Sequence, residues 1–292
     1  MPWGYFEIPR GYTGQDFRNG LEPTPPRRLN YNSSYVLVGC EPKTMFKPGV
    51  EPKSLDFFWW DNSQLPHLRY PSPANPGALK TWSRLIHRGW ATPPDGEVDA
   101  SHRHRVNCIL QAHSHGEISD ISDLWGGTRA THAPVGRRML ILPSSERCFR
   151  EFYSTSQAAW LAEVTHTLAG LGWTWKIRNK PSPRDRQKFQ IPDEIEQGRF
   201  DCVLAHHSAG ASEAVVTGTA AVTTSAWNPA RSVSTPWEEF RVTGEVKEYT
   251  QGDIDTWVTK TCAYTYHRSE LTSLSWIKVH PDSKHLRSTH AI

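Results

Sequence analysis

Apolar and polar positions follow two regimes along the 292-residue chain. In the first half, short apolar runs stand between proline-rich polar stretches. Residues 35–39 (YVLVG) and 56–60 (DFFWW) read as strands, and 61–77 as a loop. Leu79, Trp82, Leu85 and Ile86 recur at helical spacing and predict a helix over 78–87, whereas 105–111 (RVNCILQ) predicts a strand. Residues 112–138 are poor in aliphatics and rich in Gly, Ser, Asp and His, which marks an interdomain region. Beyond them the pattern becomes regular. Residues 139–142 form an apolar run of strand length. Ser154, Thr155 and Ser156 offer a cap to a helix ending near Leu171, with Trp160, Leu161, Val164 and Leu168 on its apolar face. Residues 173–178 predict a strand, and Pro192 suits the first turn of a short helix. A strand at 202–204, a polar turn at His206-His207-Ser208, a small-residue helix carrying Glu213, a stop at Gly218 and a strand from 220 complete a β–turn–α–β unit.

Strands alternating with helices predict a parallel, doubly wound α/β sheet, which binds ligands at the carboxyl ends of its strands. The loops after Leu142, Arg178 and Leu204 then share one edge. They offer Ser144 and Ser145, then Arg178 and Lys180, then His207, Ser208, Ala209, Gly210 and Glu213. Hydroxyls, cations and helix-end amides suit a diphosphate, and an acid one turn into the helix can reach a ribose diol. The spacing predicts a nucleotide-sugar donor site needing no metal, because cations and amides neutralise the leaving diphosphate.

Composition narrows the setting. Hydrophobic residues are 37%, a low share that 13 Trp offset through the area each buries. The net charge of +3 is too small to imply a nucleic-acid partner by itself. Its clustering says more: Lys176, Arg178, Lys180, Arg184, Arg186 and Lys188 crowd one segment, and Arg129, Arg137, Arg138, Arg147 and Arg150 another. The 5 Cys are widely spaced with no CxxC pair, which favours a reduced compartment. With no long apolar span and no signal-peptide pattern, the sequence predicts a cytoplasmic protein without membrane insertion.

The order of motifs resembles a known family. A strand, a Pro-Ser loop and an amphipathic helix (ILPSSERCFREFYSTSQAAWLAEV) lead to a basic strand end (KIRNKPS) and then to LAHHSAGASEAVVTGTAAV. This looks like the donor half of a GT-B glycosyltransferase, in particular the compact glycosyltransferase-like proteins of phage genomes. Ser208, Glu213, Ala214 and Gly218 match that family's final motif, and the tail DIDTWVTKTCAYTYHRSELTSLSW resembles its closing helices. In the first half, DFFWWDNSQL and HRHRVNCILQ match more loosely: Asn107 follows Val106 directly, and Ser63-Gln64 stands where a Gly-Tyr belongs.

The resemblance implies a GT-B-like α/β fold of two Rossmann-like doubly wound domains facing a cleft. Residues 1–135 would bind acceptor, 136–265 donor, and 266–292 would pack back across the junction. It implies an inverting transfer from a nucleoside-diphosphate sugar, UDP-linked by family habit, by a monomer with no tightly bound cofactor. Inversion needs one base to take the acceptor proton. The family puts that base on the first domain, which points to Asp61, with His113 as second candidate. Similar phage enzymes glycosylate hydroxymethylated pyrimidines in double-stranded DNA, which requires base flipping and phosphate contacts in the host cytoplasm. Arg69, Arg84, Arg88, Trp90, Arg103, Arg105 and Asn107 are the acceptor and DNA candidates.

Two other readings compete. A DNA- or nucleotide-sugar-binding protein on the same scaffold would lack a base in its cleft. A metallohydrolase would use paired histidines: His102 and His104, His113 and His115, or His206 and His207. Of these, the pair at 113 suits best if it lies on a strand. Asp253-Ile254-Asp255 resembles a metal-binding DxD but stands at a predicted helix start, where acids stabilise the dipole. No GxSxG, GxxxxGK[ST] or GxGxxG occurs, which excludes those hydrolase, P-loop and dinucleotide motifs.

Overall fold

The computed structural model describes residues 4–8, 34–38, 56–62, 82–87, 97–113, 129–132, 134–153, 155–179, 191–267 and 270. The chain divides into two compact units, one formed by Met1–Leu124 with Thr259–Ile292, the other by Trp125–Val258. No helix among the described residues is long and apolar enough to cross a membrane.

The first unit contains strands β1 (Gly4–Ile8), β2 (Ser34–Val38), β3 (Asp56–Asn62) and β4 (Trp82–His87), helix α1 (Ala100–His113) and the late strand β10 (Thr265–His267). They form one sheet in the order β1-β2-β3-β4-β10. Its β2–β3 pair is parallel and the other three pairs are antiparallel. The described part of this sheet is therefore mixed, unlike the doubly wound parallel sheet expected of the first half.

Two local expectations are overturned in this unit. The segment expected as a helix ends in β4, because its backbone pairs with β3 on one side and β10 on the other. Ladder bonds on both edges outweigh a helical recurrence only four residues deep. The segment expected as a strand lies within α1. Val106 and Ile109 are buried three residues apart, a helical spacing hidden inside a β-branched run. Asp99 starts α1: its Oδ1 accepts the amides of Ser101 (2.8 Å) and His102 (3.0 Å) and lies 2.7 Å from His102 Nδ1. The bond from the His102 amide holds the Asp99 carboxyl below its usual range.

In the second unit, β5 (Arg138–Leu142), β6 (Thr174–Ile177), β7 (Cys202–Ala205), β8 (Ala220–Thr223) and β9 (Thr235–Pro236) form a five-stranded sheet in the order β6-β5-β7-β8-β9. Every pairing in it is parallel. This α/β unit is the one the apolar runs predict, and it is compatible with a Rossmann-like fold. Between the strands lie α2 (Glu146–Tyr153), α3 (Gln157–Gly170), α4 (Ile191–Gly198) and α5 (Gly210–Val216). Helix α6 (Trp237–Thr243) follows, and α7 (Gln251–Ala263) starts in this unit and ends in the first.

The central strands β7 and β8 are buried at every position, as a parallel sheet covered on both faces requires. Alternate residues feed two layers. Met139, Ile141, Cys202, Leu204 and Val222 join a core with Phe149 of α2, Trp160, Val164 and Leu168 of α3, and Trp237 and Phe240 of α6. On the other face α4 and α5 pack together beside Leu142. The apolar residues of α3 fall at i, i+4 and i+8, and Ser156 caps it by accepting the Ala159 amide at 3.0 Å. Gly218, at φ +89, ends α5 in a conformation that favours glycine. Helix α7 begins with a reciprocal cap. The Thr250 amide donates to Asp253 Oδ2 (2.9 Å), and the Asp253 amide donates to Thr250 Oγ1 (3.2 Å). Asp253 thus has the capping role its position predicts.

Candidate functional site

The five parallel strands end at one edge. The chain leaves β5 through α2 and α3 to reach β6, crosses back, and leaves β7 through α5 to reach β8. Loops from the neighbouring strands β5 and β7 therefore diverge to opposite faces. Such a reversal point opens a crevice at the carboxyl end of an α/β sheet.

Both diverging loops are polar and bonded to each other. Ser144 and Ser145 follow β5. Ser145 Oγ accepts the Cys148 amide at 3.2 Å and caps α2. Ser144 does something different: its Oγ reaches across to accept the His207 amide at 2.9 Å, while its carbonyl accepts from Gln157 Nε2 at 2.6 Å. One hydroxyl thus fixes the spacing of the two loops that bound the crevice.

After β7, His206, His207, Ser208 and Ala209 turn into α5. Ser208 Oγ accepts the Gly210 amide at 3.2 Å. Gly210 is closely packed: a Cβ there would come within 2.5 Å of Leu142 Cδ1 and closer still to Ile191 Cδ1, so a larger residue must displace these buried side chains. Glu213, in the first turn of α5, is 6% exposed.

Arg178 follows β6 on the far side of β5, at the same edge. Its Nε donates to Glu194 of α4, which also accepts from Lys176 Nζ at 2.9 Å. Two cations share this one carboxylate. Lys180 lies outside the described residues.

The loop after β8 adds residues with no counterpart in the sequence reading. Asn228 is fully buried. Its Nδ2 donates to the carbonyls of His206 (2.9 Å) and Ser208 (3.3 Å), and its Oδ1 accepts the Ala230 amide (2.9 Å). It is a strut between this loop and the turn after β7. Arg231 Nη1 donates to the carbonyl of Thr223, the last residue of β8, at 2.8 Å, and Nη2 pairs with Glu238 at 3.0 Å. A further cation therefore stands at the same edge. Trp227 is 47% exposed beside it. The only advance signal for these residues was a polar S-A-W-N-P stretch after an apolar run.

His206 occupies an aromatic cage at this edge. It stacks on Phe149 (4.5 Å, 23°) and meets Tyr153 edge-on (4.2 Å). Its Nδ1 lies 2.7 Å from Thr224 Oγ1, which also accepts from Trp160 Nε1 at 3.0 Å. An indole N–H only donates, so Thr224 Oγ1 accepts from Trp160 and keeps both its hydrogen and a lone pair to offer Nδ1. Nε2 is buried with no partner among the described residues. Burial pushes the His206 pKa down to about 4, so the ring is neutral at physiological pH. Beside it, Tyr153 Oη and Ser225 Oγ lie 2.6 Å apart, and burial pushes the phenol up to about 12.

The acceptor and base candidates belong to the first unit. Asp61 is on β3, opposite Arg84 of β4 in register. His113 is the last residue of α1, not on a strand, so the His-x-His geometry proposed for a metal loses its basis; His115 lies outside the described residues. Among the described residues, no three His, Cys, Asp or Glu side chains group as a metal site. Arg69, Arg88 and Trp90 also lie outside the described residues. Arg103 and Asn107 are exposed on α1, and Arg103 Nη2 donates to the Val98 carbonyl at 2.9 Å.

Arg105 departs from its expected role. It is 1% exposed, donates to Glu270 through both terminal nitrogens (2.7 and 2.9 Å) and to the Thr265 carbonyl (2.6 Å), and lies over the Tyr266 ring. A guanidinium spent in this way is a buried clamp and has no face left for a phosphate.

No protein-family model matches the chain, and no curated protein or solved structure does.

Proposed function

We propose that this chain is a glycosyltransferase whose second unit holds a nucleoside-diphosphate sugar at the carboxyl edge of its parallel sheet. The observation that carries the reading is the pair of diverging loops after β5 and β7, tied by the bond from the His207 amide to Ser144 Oγ. In this reading, the hydroxyls of Ser144 and Ser208 and the backbone of the turn at 207–210 face the diphosphate. Arg178 and Arg231 supply positive charge on either side of it. Glu213 serves the ribose. Asp61, with His113 as second candidate, takes the acceptor proton from the first unit. The two-domain GT-B arrangement is part of the same proposal. The acceptor we favour is a hydroxymethylated pyrimidine in DNA, for which exposed Arg103 and Asn107 remain candidate contacts and Arg105 does not.

The test has two stages. Calorimetric titration with UDP and UDP-glucose should show saturable binding that Ser144→Ala weakens. Mass spectrometry of hydroxymethylcytosine- or hydroxymethyluracil-containing DNA, incubated with the protein and a panel of nucleotide sugars, should show the gain of one sugar residue that unmodified DNA does not. Binding without any mass gain would favour the non-catalytic nucleotide-sugar-binding alternative. No binding at all would remove the proposal.

A further inference from the structure

Two polar groups at the sheet edge keep unused hydrogen-bonding capacity among the described residues. Tyr153 Oη and Ser225 Oγ share one bond of 2.6 Å, and Ser225 Oγ also accepts the Trp227 amide at 3.1 Å. Two hydroxyls carry two hydrogens, and their mutual bond uses one. Whichever donates, the other hydrogen has no acceptor among the described residues. The second group is His206 Nε2, buried and without a partner there. Unpaired buried polar atoms are costly and therefore uncommon in native structures. The Tyr153 ring is 4.2 Å from that of His206 and 6.2 Å from that of Trp227.

An apolar plate stands next to these groups. Trp227 exposes 47% of its surface, although its immediate neighbour Asn228 is completely buried. The Asn228 strut fixes this loop against the His206 and Ser208 carbonyls, and the indole meets the Tyr153 ring. An exposed flat apolar face alongside hydroxyls is the complement of a pyranose. Such a ring has an apolar C–H face and a rim of oxygens that both accept and donate, as hydroxyls do.

We propose that Trp227, with the Tyr153–Ser225 hydroxyl pair behind it, is the platform that reads the sugar of the nucleotide sugar. This rests on the donor-site reading above and adds which residues select the sugar. Burial keeps the Tyr153 phenol protonated across the physiological range, so it remains able to donate.

The experiment is isothermal titration of the full chain with UDP, UDP-glucose, UDP-galactose, UDP-N-acetylglucosamine and GDP-mannose, using wild type, Trp227→Ala and Tyr153→Phe. The melting temperature of each variant is measured first; the half-exposed position of Trp227 makes its truncation compatible with folding. Wild type should bind one nucleotide sugar more tightly than its parent nucleotide. Trp227→Ala should weaken that sugar form by about tenfold, the scale of one ring contact, and leave the parent nucleotide within about twofold. Tyr153→Phe should reorder the ranking among sugars. Equal losses for the nucleotide and its sugar form, or no loss for either, would overturn this inference and leave the donor site standing. A wild type that binds no member of the panel would overturn both.

Discussion

His206 gives the sharpest quantitative test of the site's physics. The folded ring has a pKa of about 4 against an ordinary 6.5, because the cage of Phe149, Tyr153 and Trp160 removes it from water. The unfolded chain takes up a proton as pH falls through about 6.5, and the folded chain does not until about 4. Unfolding is therefore favoured progressively as pH drops through that window. The contribution is fully present above 6.5, is lost on the way down to 4, and is flat below. A gap of that size corresponds to about 3 kcal/mol. The assay is urea unfolding of wild type and His206→Gln at closely spaced pH values between 4 and 7. Carboxylates titrate in both proteins, so the diagnostic is the difference between the two curves. That difference should shrink by about 3 kcal/mol as pH falls from 7 to 4. An independent check is the 15N titration of the His206 ring, which should show a neutral imidazole down to about pH 5. A pH-independent difference, or a ring titrating near 6.5, would refute the burial argument.

Two further outcomes test how the edge and its neighbour unit are built. Gly210→Val should destabilise the second unit by about 1–3 kcal/mol, the usual cost of overpacking, and should weaken nucleotide binding, because α5 and the side chains of Leu142 and Ile191 must move apart; denaturant midpoints and calorimetry measure both. Arg105→Ala should cost about 3 kcal/mol, since it removes a buried guanidinium together with its bonds to Glu270 and the Thr265 carbonyl. Arg105→Ala should leave the salt dependence of DNA binding unchanged, whereas a flatter slope would return this residue to the acceptor surface.

The second unit was readable because its signals are local and strong. Residues 139–142, 202–204 and 220–222 are uninterrupted apolar runs, and fully buried parallel strands need that pattern. Ser156 and Gly218 mark helix ends by side-chain chemistry and positive φ, both visible in residue type. The reading failed where pairing partners are distant. Nothing in 82–87 alone reveals that β10, some 180 residues later, supplies its second ladder. Nor does RVNCILQ announce that Arg105 needs the acceptor at Glu270. The site splits the same way. Ser144 and Ser208 were foreseeable as hydroxyls after apolar runs. The cage around His206 joins residues from α2, α3 and the loop after β8, and Asn228 becomes a strut only once β8 lies beside β7. In sequence, His206 was simply half of a histidine pair.

The central claim is that the carboxyl edge of the parallel sheet is where a nucleotide sugar binds. Amide hydrogen exchange of the full chain, with and without saturating UDP-glucose, reads that edge directly. The account predicts slowed exchange concentrated at residues 143–146, 206–212 and 224–231, with the helices beyond those first residues unchanged. Protection confined to the first unit, or none anywhere at a concentration that saturates calorimetric binding, would contradict it.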